Sequence, residues 1–223
     1  MGQHINIPTS RTQCIGGYLA EPVGTPKGGI VVIQEIFGVT QHMRNVVDRF
    51  AAAGYTAIAP AFFDHLEAWL ELDYNDVGTA RGRALVAELG LERPLEDVAS
   101  AARAIASAGK IGTVGFCWGG TVALLAALQL GLPSVSYYGA RNLSLLGRQP
   151  KAPLMFHFGD NDASIPPEAV QRHREALPEA EIFTYSGAGH AFNRDGDPHY
   201  HQTSARLAWQ RTLAFFDTHL AQP

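Results

Sequence analysis

At 223 residues, 46% apolar and 17% charged with a net charge of −4, the chain has the length and apolar content of one globular domain with a sizeable core, and its charges do not run in blocks that would fit nucleic acid or an anionic membrane. No apolar run approaches the roughly 20 residues of a membrane span; MGQHINIPTSRTQ lacks a charged-then-apolar signal pattern, and Asn6 stands where a myristoylation motif wants Ser or Thr. Cys14 and Cys117 are too few for a disulfide scaffold, so the expectation is a reduced, cytoplasmic protein. One domain over 1–223 is expected, and the sequence leaves the oligomeric state open with a monomer favoured.

In chain order, residues 12–20 read as a first strand, followed by the turn-rich EPVGTPKGG. GIVVIQE (29–35) is a nearly continuous β-branched run, expected of a strand buried on both faces. Met43, Val46, Val47 and Phe50 recur at helical spacing, and Gly54 is the expected stop. YTAIAP (55–60) is a short buried strand closed by Pro60; 61–75 reads as irregular and 76–90 as helical. Val98, Ala101, Ala102 and Ile105 share a helix face. GTVGF (112–116) returns to strand and 118–130 to helix. PSVSYYG (133–139) and PLMFHFG (153–159) are strands, a helix follows Pro166-Pro167, and EIFTYSG (181–187) is the last strand. Trp209, Leu213, Phe216 and Leu220 mark the apolar face of a closing helix. This alternation predicts an α/β fold, with a mainly parallel central sheet and helices on both faces.

Ligands of such sheets bind beyond the carboxyl ends of the strands, and three reactive residues fall there: Cys117, Asp162 and His190. Gly115-Phe116-Cys117-Trp118-Gly119 fits the strand-to-helix elbow G-x-S-x-G with cysteine in place of serine. The glycines relieve crowding where the turn brings backbones together, and the following helix N-terminus favours thiolate. By itself this pattern fits a buried structural cysteine equally well. In HFGDNDASIP, Asp162 is taken as the acid that orients a histidine, with Asp160 and Asn161 as turn residues. In SGAGHAFNR, His190 follows small residues directly after a strand. The order Cys117, Asp162, His190 is that of the α/β hydrolases.

Glu35 ends an apolar run, where a solvated or helix-capping acid is the ordinary expectation, but the loop after this strand supplies the second oxyanion N–H in α/β hydrolases. Together with Gln34-Glu35-Ile36-Phe37-Gly38-Val39, Gly54-Tyr55, Ala59-Pro60, Gly115 to Gly120, Tyr137-Tyr138-Gly139, Asp162 and Gly189 to Arg194, the sequence resembles the dienelactone hydrolase (carboxymethylenebutenolidase) family over nearly its whole length. The resemblance implies a triad of Cys117, Asp162 and His190, an oxyanion hole from the N–H groups of Ile36 and Trp118, and Glu35 beside the thiol. It implies Arg194 and Tyr138 as substrate-binding residues, with Arg194 on the substrate carboxylate. A second arginine is expected in 76–90, either Arg81 or Arg83, and Arg81 is taken. Ala84 to Ala87 replace aromatic residues usual after that arginine, and Ala191 replaces a usual serine, so the pocket lining differs.

The function expected is therefore hydrolysis of small carboxylate-bearing lactones or esters through an acyl-thioester, with no metal or organic cofactor. Three alternatives are weighed against it. Other activated esters or thioesters could be the substrates; Cys117 could be a redox thiol with Cys14 as its only partner cysteine; or the domain could only bind. A metal site from His190, Asp195, Asp197, His199 and His201 is set aside because Pro198 and the nearby glycine make an ordinary exposed loop.

Overall fold

The structure is a computed structural model that describes residues 1–9 and 14–221. Its strands are β1 (Gln3–Pro8), β2 (Cys14–Ala20), β3 (Gly29–Ile33), β4 (Thr56–Pro60), β5 (Ile111–Phe116), β6 (Ser134–Tyr137), β7 (Leu154–Gly159) and β8 (Glu181–Tyr185). Its helices are α1 (Gln41–Ala52), α2 (Asp76–Leu89), α3 (Glu92–Ala104), α4 (Trp118–Gln129), α5 (Pro167–Ala176) and α6 (Gln202–His219). The strands form one sheet in the order β1-β2-β4-β3-β5-β6-β7-β8. The β3/β4, β6/β7 and β7/β8 pairs are parallel, whereas β1/β2 and β2/β4 are antiparallel. This is the mainly parallel α/β architecture expected from the alternation of elements. The chain forms two compact units, residues 1–113 with the segment from Leu220, and Val114–His219.

In the first unit, all five residues of β3 and of β4 are buried, which is why neither strand alternates in sequence. Met43, Val46, Val47 and Phe50 form the buried stripe of α1, and Gly54 follows its end in a left-handed conformation (φ 100°). Asn75 caps α2 by accepting a hydrogen bond from the Gly78 N–H at 2.8 Å. The irregular stretch 61–75 contains a short 3-10 turn at Phe62–His65, which is fastened to α3 by a 2.8 Å contact between His65 Nε2 and Asp97 Oδ2. Strand β1 was not expected. Its QHINIP sequence buries Ile7 and little else, as suits a sheet edge, so burial leaves only a weak periodic signal. The predicted strand 12–20 is β2; residues 12 and 13 lie outside the described residues.

In the second unit, α4 is buried at eleven of its twelve positions, which accounts for a helix that is apolar all round. Pro167 takes the first position of α5, where its missing N–H costs nothing. The closing helix keeps half of its predicted stripe. Phe216 and Leu220 are buried, while Trp209 and Leu213 are only half-buried and Ala205, Ala208, Thr212 and Phe215 are buried as well. Thr212 is buried because its hydroxyl has partners inside: Tyr137 Oη at 2.7 Å and His157 Nε2 at 3.0 Å. His157 Nδ1 in turn lies 2.8 Å from Tyr185 Oη. A polar residue that reads as solvent-facing thus belongs to a hydrogen-bonded chain under the sheet.

Burial, and secondarily the charge of Arg211, push the His157 imidazole down to about 3. Its folded-state value lies below the ordinary value of 6.5, so between those limits the unfolded chain binds the extra proton. The stabilisation is complete above about pH 6.5 and is lost as pH falls toward about 3, with a slope of about 1.4 kcal/mol per pH unit from this one proton. Denaturant titrations across this range should therefore show a shallower pH dependence in His157→Gln than in wild type. Equal slopes would mean that His157 takes up no extra proton on unfolding.

Candidate active site

Strand β5 delivers the chain to Cys117, which is the N-cap of α4 at φ 55° and ψ −117°. A non-glycine residue in the left-handed region is strained, at a cost of order 1–3 kcal/mol, and its surroundings must hold it there. The Cys117 N–H donates to the Tyr137 carbonyl at the end of β6 (3.0 Å), and the Gly120 N–H donates to the Cys117 carbonyl (3.0 Å). Space is the second constraint. A Cβ at Gly115 would stand 1.8 Å from the Gly119 carbonyl oxygen, so no side chain fits where β5 meets α4. The thiol is thereby held at the N-terminus of a twelve-residue helix, where the partial positive charge favours thiolate.

The turn after β7 carries the two acids, and they have different tasks. Asp160 is exposed and accepts the Gly187 N–H at 2.7 Å, tying this turn to the one after β8. Asp162 is buried; its Oδ1 accepts the Ser164 N–H at 2.8 Å and its Oδ2 lies 2.7 Å from His190 Nδ1. The other ring nitrogen, Nε2, lies 3.2 Å from Cys117 Sγ. Burial alone would lower the His190 pKa. The hydrogen bonds to Asp162 and Cys117, with the negative charge of both, outweigh it and raise the value to about 10. The three residues singled out in the sequence therefore make one continuous chain of contacts.

Tyr138, also at positive φ (40°), is fully buried with its ring centroid 5.1 Å from that of His190 and 5.4 Å from that of Phe192. Trp118 is buried at the first position of α4. Arg194 is buried four residues after His190 and donates from Nη1 to Asp197 Oδ2 at 2.8 Å. Asp197, which the sequence offers only as a candidate metal ligand, is the partner of Arg194; its spacing three residues from an arginine is the available signal. Among the described residues, no group of three or more His, Cys, Asp or Glu side chains could hold a metal ion.

The remaining predicted site residues lie in the first unit. Glu35 is 1% exposed, two residues beyond β3, and its carbonyl accepts from Gln34 Nε2 at 3.2 Å. Ile36 is buried, and α2 presses on its backbone: a Cβ at Gly82 would lie 2.0 Å from the Ile36 carbonyl oxygen. Arg81 is on the exposed side of α2, paired with Glu67 Oε2 at 3.0 Å. Arg83 is exposed as well. Cys14 and Cys117 are both free thiols.

A mostly parallel sheet that presents a strained residue between strand and buried helix, followed in chain order by acid and histidine, is that of the α/β hydrolases. The chain belongs to the dienelactone hydrolase family, whose sequence profile matches residues 15–220. It is 32% identical over 222 residues to the carboxymethylenebutenolidase of Pseudomonas putida, covering 95% of this chain and 94% of that one. It is 34% identical over 240 residues to a Synechocystis protein assigned as a carboxymethylenebutenolidase, covering 97% and 96%. A Klebsiella pneumoniae crystal structure assigned as a dienelactone hydrolase superposes with a TM-score of 0.86 at 32% identity, covering 97% of this chain and 98% of that one. Membership makes the protein a hydrolase of carboxylic esters or lactones. No helix among the described residues is long and apolar enough to cross a membrane.

Proposed function

We propose that the protein hydrolyses small, carboxylate-bearing lactones or esters by nucleophilic catalysis at Cys117, with the whole chain acting as one catalytic domain. The observation that carries this reading is the run of contacts from Asp162 through His190 to Cys117, at 2.7 and 3.2 Å. An imidazole held protonated between a carboxylate and a sulfur is placed to be the ion-pair partner of an attacking sulfur and the proton donor to a leaving group.

In this mechanism the Cys117 thiolate attacks the substrate carbonyl carbon and the π electrons move to oxygen. The backbone N–H groups of Trp118 and Ile36 stabilise that oxyanion. Collapse breaks the carbon–oxygen ester bond; the leaving oxygen takes the proton from His190 Nε2, and an acyl-thioester remains on Cys117. The neutral imidazole, oriented by Asp162, then removes a proton from water, which attacks the thioester and releases the acid and the thiolate. Glu35, which the family resemblance places beside the sulfur, helps to bring it to the attacking thiolate form when substrate binds; the proton delivered to the leaving oxygen is the one on His190.

Substrate selection falls to Arg194, Arg81 and Tyr138. The Arg81–Glu67 pair is half-exposed on both sides, and such surface pairs contribute only about 0–1 kcal/mol. A substrate carboxylate can therefore replace Glu67 at little cost. A thiolate suits a lactone that expels a stabilised enolate, because the leaving group does not demand a strong alkoxide nucleophile.

Two measurements test the reading. Mixing enzyme with a carboxylate-bearing p-nitrophenyl ester and quenching within the first turnover should yield Cys117 heavier by one acyl group in the mass spectrum of its peptide. A burst of p-nitrophenol with no acyl group on Cys117 would overturn covalent catalysis at this residue. Secondly, Arg194→Ala should reduce kcat/KM for anionic esters and lactones by about 10- to 100-fold more than for neutral ones, reflecting loss of a charge-assisted pair. Equal losses on both would remove the carboxylate preference.

A further inference from the structure

Arg194 does not stand alone in its segment, and its support differs from a solvated ion pair. The backbone from His190 to His201 is a succession of tight turns: the Arg194 N–H donates to the Ala191 carbonyl (2.9 Å), the Asp197 N–H to the Arg194 carbonyl (3.3 Å), and the Tyr200 N–H to the Asp197 carbonyl (3.0 Å). The His201 N–H then returns to the Phe192 carbonyl at 2.9 Å, closing the segment on the residues beside the histidine of the site. Within this loop the Arg194 and Asp197 side chains are 9% and 6% exposed.

The two oxygens of Asp197 are divided between two sides. Oδ2 accepts from Arg194 Nη1 at 2.8 Å. Oδ1 accepts the His199 backbone N–H at 2.8 Å and lies 2.7 Å from His199 Nδ1. His199 itself is outside, with its side chain 68% exposed. Although burial opposes the charged form, the hydrogen bonds from His199 and Arg194 outweigh it and hold the Asp197 carboxyl below its ordinary range.

We propose that Asp197, braced by His199, is a positioning residue that sets the substrate preference of this enzyme by fixing the plane of the Arg194 guanidinium for a substrate carboxylate. This rests on the reading of Arg194 as the carboxylate-binding arginine. Carboxylate recognition by arginine depends on the orientation of a planar fork of donors, and a long side chain released from its partner must be ordered again on every binding event. The bond to Asp197 is made by Nη1. The side-on bond thus holds the plane through one corner of the guanidinium. Because the other oxygen of Asp197 is held by the chain itself, the acid cannot follow Arg194 and does not act as a mobile competitor for it.

Orientation and simple charge counting predict opposite signs here. Removing a negative charge beside Arg194 should, by Coulomb's law alone, tighten binding of anions. If orientation dominates, the same change weakens it.

The test compares wild type, Asp197→Asn, His199→Ala, Arg194→Ala and the double variant Arg194→Ala/Asp197→Asn. Each is assayed on p-nitrophenyl hemiglutarate and on p-nitrophenyl butyrate, with unfolding temperature measured alongside. For Asp197→Asn, the ratio of kcat/KM on the anionic to the neutral ester should fall about tenfold, mainly through KM for the anionic ester. For His199→Ala, an exposed position whose loss does not threaten folding, the ratio should fall in the same direction by about two- to threefold. The double variant should be no worse in this ratio than Arg194→Ala, because Asp197 acts only through the arginine. Asp197→Glu should restore part of the ratio, since it keeps the charge. A lower KM for hemiglutarate in Asp197→Asn overturns the proposal in favour of competition, as does an additive double variant. Equal losses on both esters reduce Asp197 to a structural role and also overturn it. If instead Arg194→Ala leaves the ratio unchanged, it is the carboxylate-clamp reading that fails, and the positioning role falls with it.

Discussion

Replacing Cys117 by alanine is expected to lower kcat on any ester or lactone substrate by about 10⁴- to 10⁶-fold, the scale seen when the nucleophile of a catalytic triad is removed. The fold should survive: Cys117 is only partly buried, and alanine keeps the Cβ and the backbone N–H that donates to Tyr137. A circular dichroism spectrum and unfolding temperature close to wild type, together with lost turnover, is the expected pair of results. Serine at the same position separates nucleophile strength from geometry. Its hydroxyl is not ionised at neutral pH and is a far weaker nucleophile than a thiolate, so Cys117→Ser should also fall well below wild type. Turnover near that of wild type in Cys117→Ala would end the proposed mechanism.

The second large effect is expected at Asp162. Asp162→Asn keeps the size of the side chain but removes the charge that, with the sulfur, raises the His190 pKa to about 10. The imidazole then loses both its orientation and the charge that stabilises its protonated form, and kcat should fall roughly 10³- to 10⁴-fold. A stability change of definite sign accompanies this. A histidine whose folded-state pKa is raised contributes stability that is fully present below about pH 6.5 and disappears as pH rises through about 10. Wild type should therefore lose stability between these limits, and Asp162→Asn should lose less over the same range. Alkylation of Cys117 by iodoacetamide at pH 7 should also slow in the variant, because the sulfur has lost its protonated partner. Unchanged alkylation and turnover would show that Asp162 merely fills its site.

Much of this arrangement was legible in the residues. The strands β3 and β4 announce themselves as continuous apolar runs because they are buried throughout, and α1 by its stripe from Met43 to Phe50. The motif around Cys117 is legible for a steric reason: only glycine fits at position 115, against the Gly119 carbonyl. Strand β1 is not legible in the residues, because an edge strand with one deeply buried residue, Ile7, leaves little pattern. The stripe of the closing helix is legible at Phe216 and Leu220 but not at Thr212, because hydropathy cannot anticipate that its hydroxyl finds Tyr137 and His157 inside the protein.

By itself, the sequence determined the α/β order of elements and the resemblance to the family, and it offered Cys117, Asp162 and His190 as candidates, because each depends on local spacing and on the order of motifs along the chain. Tertiary structure showed how differently the two neighbouring acids are placed. Asp160 and Asp162 are two residues apart and chemically alike, yet one holds a turn in solvent and the other is buried against His190, a residue 28 positions away. It also decided the company Arg194 keeps, pairing it with Asp197 and bracing that acid with His199. A hydrogen bond is set by direction and distance within a few tenths of an ångström. Residue types do not encode that until the chain has folded around them.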